Sequence, residues 1–226
     1  LRQVEAWADS VRHLEIVRRL YTMRFAYALP PDLDLRQIRG LEGVRVRDSY
    51  ARASRKTGVP WHGRNYRRSD WRSADPVNRA LSAGTACLYG VCHAAIVSAG
   101  YSPALGFIHT GKQLSFVYDV ADLYKMETVV PAAFQVAAES DHGVERRVRA
   151  ELRERLREAR VLERAVADIH TLFQSSEEED AFAEDSAKPG SLWDPDGEVS
   201  GGVAYGCDRA GECADESPRR ADQMDD

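Results

Sequence analysis

The run VNRALSAGTACLYGVCHAAIVS, from Val77 to Ser98, constrains this chain more than any other stretch. It is nearly continuously apolar and small-sided, so it reads as the central helix of a bundle, with other helices covering it all round. The apolar stretch runs on to Ile108, but His93, Gly100 and Pro103 interrupt it. That pattern fits a buried core helix and turn and no membrane span.

The segments on either side supply partners for such a helix. Val4, Trp7, Val11, Leu14, Val17 and Tyr21 recur at helical spacing and predict one amphipathic helix over 3–25, stopped before Pro30-Pro31. A second is predicted over 34–57, with Leu35, Ile38, Leu41, Val44 and Val46 on its apolar side and Gly40 and Gly43 flanking Glu42. Residues 58–76 read as a loop rich in Gly, Pro and Asp. After the turn GYSPALG comes a short extended FIH segment, then a helix from near Asp119 toward Ala137 with Pro131 placed to kink it. A last helix is predicted over 144–173, with its seam at Val144, Val148, Leu152, Leu156, Ala159, Leu162, Val166, Ile169 and Phe173. A stripe of arginines, Arg146, Arg149, Arg153, Arg157, Arg160 and Arg164, lies roughly opposite. There is no internal repeat and little sign of strands, so residues 1–173 read as a mainly α helical bundle.

Charge divides the chain. Of 31 Lys/Arg and 36 Asp/Glu in 226 residues, the segment 174–226 holds 4 and 16. The preceding residues then carry 27 basic and 20 acidic side chains, a basic body that suits a polyanion such as nucleic acid. The acidic segment loses periodicity and reads as a disordered tail. Cys87 and Cys92 fall in the apolar run and Cys207 and Cys213 in the tail, which predicts reduced thiols and no zinc site. No signal segment opens the chain, and a cytoplasmic location is expected. An amphipathic pattern is already running by Val4, so a longer natural protein is expected.

The stretch GFIHTGKQLSFVYDVADLYK, residues 106–125, places His109, Lys112, Asp119 and Asp122 among apolar side chains. If a helix begins near Tyr118, the two aspartates point to one side of it and need a cation, a shared proton or a basic partner. Mg²⁺ and Mn²⁺ take carboxylate oxygens, and an imidazole tilts a site toward Mn²⁺. His109 and Asp122 are candidate ligands, and Glu42, between two glycines in RGLEGVRVR, is a candidate third. The plain alternative for His109 is a satisfied core histidine. The segment WHGRNYRRSDWR, 61–72, interleaves Trp61, Tyr66 and Trp71 with Arg64, Arg67, Arg68 and Arg72. Such a mixture stacks on unpaired bases while neutralising phosphates, or else its aromatics pin a loop to the body. The arginine stripe is likewise either a phosphate contact or a solvated face, stitched by the i,i+4 pairs Glu145–Arg149 and Glu151–Arg155. Tyr89 either approaches the metal candidates or packs in the core.

Two runs of residues, LEGVRVRDSY and TACLYGVCHAAIVSAGYSPALGFIHTGKQLSFVYDVADLYKMETVVPAAF, resemble the CRISPR-associated spacer integrases, the metal-dependent endonucleases of CRISPR adaptation, and most of all their subtype I-E branch. The resemblance covers about residues 10–170, is most specific over 81–134 and 39–50, and is absent from the tail. It implies a helical catalytic domain with Mg²⁺ or Mn²⁺ on Glu42, His109 and Asp122, with Asp119 as an accessory carboxylate counted in the catalytic set. It implies DNA contacts from Lys112, from Arg64, Tyr66 and Trp71 near a frayed DNA end, and from Arg146 and Arg149. It further implies double-stranded DNA with frayed ends as substrate, a homodimer in the full-length form, and a small ferredoxin-like CRISPR-associated partner. Complete members begin with a β-rich domain, which is expected to be largely missing here. The reaction implied is the joining of protospacer 3′-hydroxyl ends into a CRISPR array by transesterification. The alternatives are a DNA-end-binding module with little catalysis and a standalone metal-dependent nuclease on branched DNA.

Overall fold

A helix whose one arginine, Arg79, stands in its first turns and whose remainder is mostly apolar or small folds where neighbours can cover it, and α4 (Pro76–Ser98) is so placed. In the computed structural model, residues 2–64, 74–174, 191–194 and 197–200 are described. Asp75 caps α4 by accepting from the Asn78 backbone N–H at 2.8 Å, and Pro76 stands in its first turn, where no amide hydrogen is needed. By length and composition α4 could cross a membrane. Here it is packed by α5 (Ser115–Tyr124), α6 (Val129–Glu139), α7 (Val144–Glu158) and α8 (Val161–Phe173). Gly84 allows the closest approach: a Cβ there would lie 3.1 Å from Val129 and 3.5 Å from Val148. Leu88, Ile96, Phe116, Phe134, Leu152 and Ile169 fill the core, each burial worth roughly 1.5–3 kcal/mol over exposure.

α3 (Leu35–Thr57) lies against α6. It opens on a capping box of Asp34 with Gln37 and closes on Gly58 at φ 75°. Its predicted bounds hold, but of its predicted apolar side Leu41 and Val44 are exposed while Ile38 is buried. The single helix expected over 3–25 is two, α1 (Arg2–Ala8) and α2 (Ser10–Thr22). Asp9 breaks it by leaving the helical region and accepting from Val11 and Arg12 N–H groups. Val4, Trp7, Val11 and Leu14 of the predicted seam are exposed, whereas Val17 and Tyr21 are buried.

Two other long helices divide as well. The helix expected to reach Ala137 with a kink at Pro131 is α5 and α6, and Pro131 falls in the first turn of α6, where it costs no hydrogen bond. The helix expected over 144–173 is α7 and α8, separated at Arg160, whose φ of 49° is left-handed. α5 is tied at its end by the Tyr124 hydroxyl, which donates to Asp168 of α8.

Residues 175–226 form a separate unit. Within it β1 (Ser191–Asp194) and β2 (Gly197–Ser200) pair antiparallel, with Ser191 opposite Ser200, although the sequence pattern predicts no strand there. The rest of the predicted tail lies outside the described residues.

Candidate functional site

Two carboxylates three residues apart on α5 have unlike surroundings. Asp119 is completely buried, and both its oxygens are engaged. Its Oδ2 accepts from the backbone N–H groups of Phe107 (2.7 Å) and Ile108 (3.1 Å). Its Oδ1 accepts from the His109 N–H (2.9 Å) and from His109 Nδ1 (2.7 Å). The segment 107–109 has no ladder of its own, so this carboxylate satisfies its amides. Asp119 stands inside α5, which starts at Ser115, and the hydrogen bonds it accepts all come from the loop. It positions His109.

With Nδ1–H held by Asp119, the neutral imidazole keeps Nε2 free. The hydrogen bond to Asp119 raises the His109 pKa against the opposing effect of burial; Asp122 adds to the rise and Arg24 opposes it. The ring meets Tyr118 edge-on at 5.8 Å. The loop is braced from the far end of the chain. Gln3 Nε2 donates to the carbonyls of Ser102 and Leu105, both at 3.0 Å, and its Oε1 accepts from Ser102 N–H at 2.7 Å. His13 lies between the carbonyls of Trp7 and Phe107. Gly106 permits the fold of the loop, because a Cβ there would lie 2.2 Å from the His109 carbonyl oxygen.

Asp122, one turn on, is partly exposed and faces Arg24, which follows the end of α2. Arg24 Nη2 lies 3.5 Å from Asp122 Oδ2, and Nη1 lies 3.4 Å from Glu42 Oε1 on α3. Glu42 is also held by a fork from Arg45, at 2.7 Å from Nε and 2.9 Å from Nη2. The Arg24 side chain is 4% exposed and rests on the Tyr21 ring at 5.0 Å, yet its Nε and Nη2 make no hydrogen bond.

The structure thus brings Glu42 and Asp122 to one guanidinium and puts His109 within electrostatic reach of both Asp122 and Arg24. Two carboxylates plus an imidazole oriented by a third carboxylate are the donors a hard divalent ion takes. Among the described residues, however, no three such side chains are gathered closely enough to hold a metal. Arg24 bridges the two carboxylates. In donor type the set fits Mg²⁺ or Mn²⁺.

Of the other predicted contacts, Lys112, Arg146 and Arg149 are exposed, and their charged ends have no partner among the described residues. Glu145 pairs with Arg79 at 3.5 Å and leaves Arg149 unpaired, while the predicted Glu151–Arg155 pair forms at 2.6 Å. Arg64 is committed to Asn78 Oδ1 (3.3 Å) and Ser82 (3.2 Å). Trp61 stacks on Tyr50 at 4.5 Å and tilts against Phe134, so this aromatic pins its loop to the body. Tyr66 and Trp71 lie outside the described residues. Tyr89 packs on Tyr118 at 4.9 Å, its pKa pushed up to about 12 by burial and then by Asp122.

Three residues beside Glu42 or Asp122 leave little or no trace in the sequence pattern. Arg45 had a signal, its i,i+3 spacing from Glu42. Arg24 had none, since it is one of several arginines around the end of α2. Lys125 caps α5; burial lowers its pKa against the pull of Asp122.

Residues 2–166 match the family described as CRISPR associated protein Cas1. The chain is 64% identical over 218 residues to CRISPR-associated endonuclease Cas1 2 of Thermus thermophilus, covering 95% of this chain and 67% of that one. It is 50% identical over 173 residues to CRISPR-associated endonuclease Cas1 3 of Methanospirillum hungatei, covering 76% and 58%. The crystal structure of a TtCas1–DNA complex superimposes with a TM-score of 0.74 at 62% identity, covering 90% of this chain and 70% of that one. The chain therefore spans about three fifths to two thirds of these curated relatives.

Proposed function

The chain belongs to the Cas1 family of CRISPR-associated proteins, and from that membership we propose that it holds Mg²⁺ or Mn²⁺ on Glu42, His109 and Asp122 and acts on DNA phosphodiesters as the catalytic part of a CRISPR-adaptation nuclease and integrase. One observation carries the reading. Glu42 and Asp122 reach from separate helices to one buried cationic position, beside an imidazole that a buried carboxylate orients.

When bound, the divalent ion supplies charge stabilisation to the phosphoryl and leaving oxygens. Asp119 holds His109 so that Nε2 is the nitrogen left to bind. Lys112, three residues beyond His109, offers a point charge to a phosphate oxygen, and Arg146 and Arg149 neutralise phosphates farther along. Tyr89 stays protonated at neutral pH and can donate. In joining, an incoming 3′-hydroxyl attacks a target phosphorus. The new P–O bond forms, the bond to the target's own 3′-oxygen breaks, and that oxygen leaves with a proton equivalent to the one the attacking hydroxyl gave up. Water in place of the hydroxyl gives cleavage.

The substrate class is supported by the TtCas1–DNA complex, the basic body and the exposed Lys112, Arg146 and Arg149. Frayed duplex ends, homodimerisation of the longer protein, the ferredoxin-like partner and the subtype I-E assignment rest on the family resemblance. A second reading, a DNA-end-binding module with little catalysis, is favoured by the guanidinium that bridges the carboxylates.

Titrating Mn²⁺ into the chain and into His109→Ala, with branched and linear DNA assayed in parallel, separates the two. Metal binding and cleavage by the parent, both lost in the variant, are expected. Metal binding without cleavage selects the binding module, and binding that His109→Ala leaves intact removes the proposed ligand set.

A further inference from the structure

Arg24 is held less tightly than a buried guanidinium ordinarily is. Its contacts with Glu42 and Asp122, 3.4 and 3.5 Å, lie outside the 2.7–2.9 Å typical of charge-assisted hydrogen bonds, whereas Arg45 grips the same Glu42 at 2.7 and 2.9 Å. Among the described residues, two of its three nitrogens are buried without a hydrogen-bond partner. An arginine selected to pin helices together would have those donors satisfied. What the position does supply is charge, because Arg24 is the only ion-pair partner of Asp122 among the described residues.

Glu42 and Asp122 contribute two negative charges, Arg45 and Arg24 two positive ones, so the cluster is balanced without a metal. A divalent ion on the two carboxylates would sit beside a like-charged guanidinium in a poorly solvated place, which opposes its entry. Arg24 also lies beyond the end of α2, in the turn after its Met23 cap, so that moving it leaves the helix intact.

We propose that Arg24 is an internal counter-ion that competes with the divalent ion for Glu42 and Asp122, so that its engagement sets the metal affinity of the site; the inference rests on the metal reading above. Arg24 holds the two carboxylates together while no metal is present and has to release them for the ion to bind. The affinity is then lowered by the fraction of molecules in which Arg24 is engaged, and removing the guanidinium raises it.

The test compares the parent chain with Arg24→Met, which keeps a long side chain over Tyr21, and Arg24→Lys, which keeps the charge but cannot fork two carboxylates. Mn²⁺ is titrated calorimetrically, and thermal unfolding is followed in EDTA and in Mn²⁺. Arg24→Met is expected to bind Mn²⁺ on the order of tenfold more tightly than the parent. It is also expected to unfold at a lower temperature in EDTA and to be raised more by Mn²⁺ than the parent is. Arg24→Lys should fall between. A purely structural arginine would give an equal drop in Tm with and without metal, and that result overturns the inference. So does a Kd in both variants equal to or weaker than the parent's while His109→Ala still abolishes binding; in that case the metal site stands and only the role of Arg24 falls. Should Arg24→Met fail to fold in either buffer, Arg24→Lys decides alone. Absence of Mn²⁺ binding in the parent and both variants overturns the metal reading together with the inference.

Discussion

His109 and Glu42 face one site from walls of different construction. The His109 wall is a loop satisfied by a fully buried carboxylate, braced by Gln3 and His13, and folded over a glycine that leaves no room for a methyl group. The Glu42 wall is a half-exposed helix, α3, on which the carboxylate is held by two arginines, and the glycines beside it, Gly40 and Gly43, have nothing within 4 Å of where a Cβ would stand. The first wall is fixed by backbone hydrogen bonds, which an added ion does not rearrange. The second is held by ion pairs, which salt screens and a stronger cation replaces. Under the proposed metal binding, such a site would keep His109 fixed and let Glu42 and Asp122 respond to occupancy.

The largest effect that would break the comparison is at Asp119. Asp119→Ala leaves three backbone N–H groups and the His109 ring without their acceptor, and a loss of about 3–5 kcal/mol is expected. Urea unfolding at low and high salt should return nearly the same loss; a loss under about 1 kcal/mol would mean that the loop is held by something else.

The glycines give opposite signs on the two walls. Gly106→Ala is expected to cost about 1–3 kcal/mol, since the methyl group meets backbone at 2.2 Å and the loop has to shift. Gly43→Ala, on an exposed helix with open space around it, should stabilise by about 0.5–1 kcal/mol. Thermal melts of the two variants side by side check this, and a destabilising Gly43→Ala would show that the second wall is as crowded as the first.

The smallest effect is in pH. Asp119 raises the His109 pKa above its ordinary 6.5, so their pairing adds stability that is fully present below pH 6.5 and lost as the pH rises through the elevated folded value. Stability of the parent relative to His109→Gln should therefore shrink between pH 5.5 and pH 9. A difference that is flat across this range would mean that folding leaves the imidazole pKa unchanged, and one that grows with pH would mean that the folded imidazole is held neutral.

The sequence pattern reveals helices where pattern and cap agree. α3 and α4 have apolar spacing together with Asp34 or Asp75 before them and Gly58 or a turn after, and their predicted bounds are close to the observed ones. The breaks at Asp9, after Tyr124 and at Arg160 were hidden because the apolar period runs across each of them, and only tertiary packing decides that the chain turns there. Asp9 did offer a signal, a residue type that prefers caps in the middle of a helical pattern. In the site, Glu42, His109 and Asp122 stand out in the sequence through the motifs that contain them, and the structure brings Glu42 and Asp122 to one guanidinium. Asp119 was legible as a residue but not in its role, since three donors from a segment ten to twelve positions upstream leave no local trace. Arg24 depends on three helices meeting and has no periodicity to betray it.

Gln3 adds a consequence in time. Its three bonds join the first helix to a loop a hundred residues away, at separations of 99 and 102 positions. Contacts of that span form only after the long intervening chain has been closed, a slow step compared with winding α3 or α4. The His109 loop therefore receives its brace late, and α4 and α7 can be packed while the loop is still unbraced.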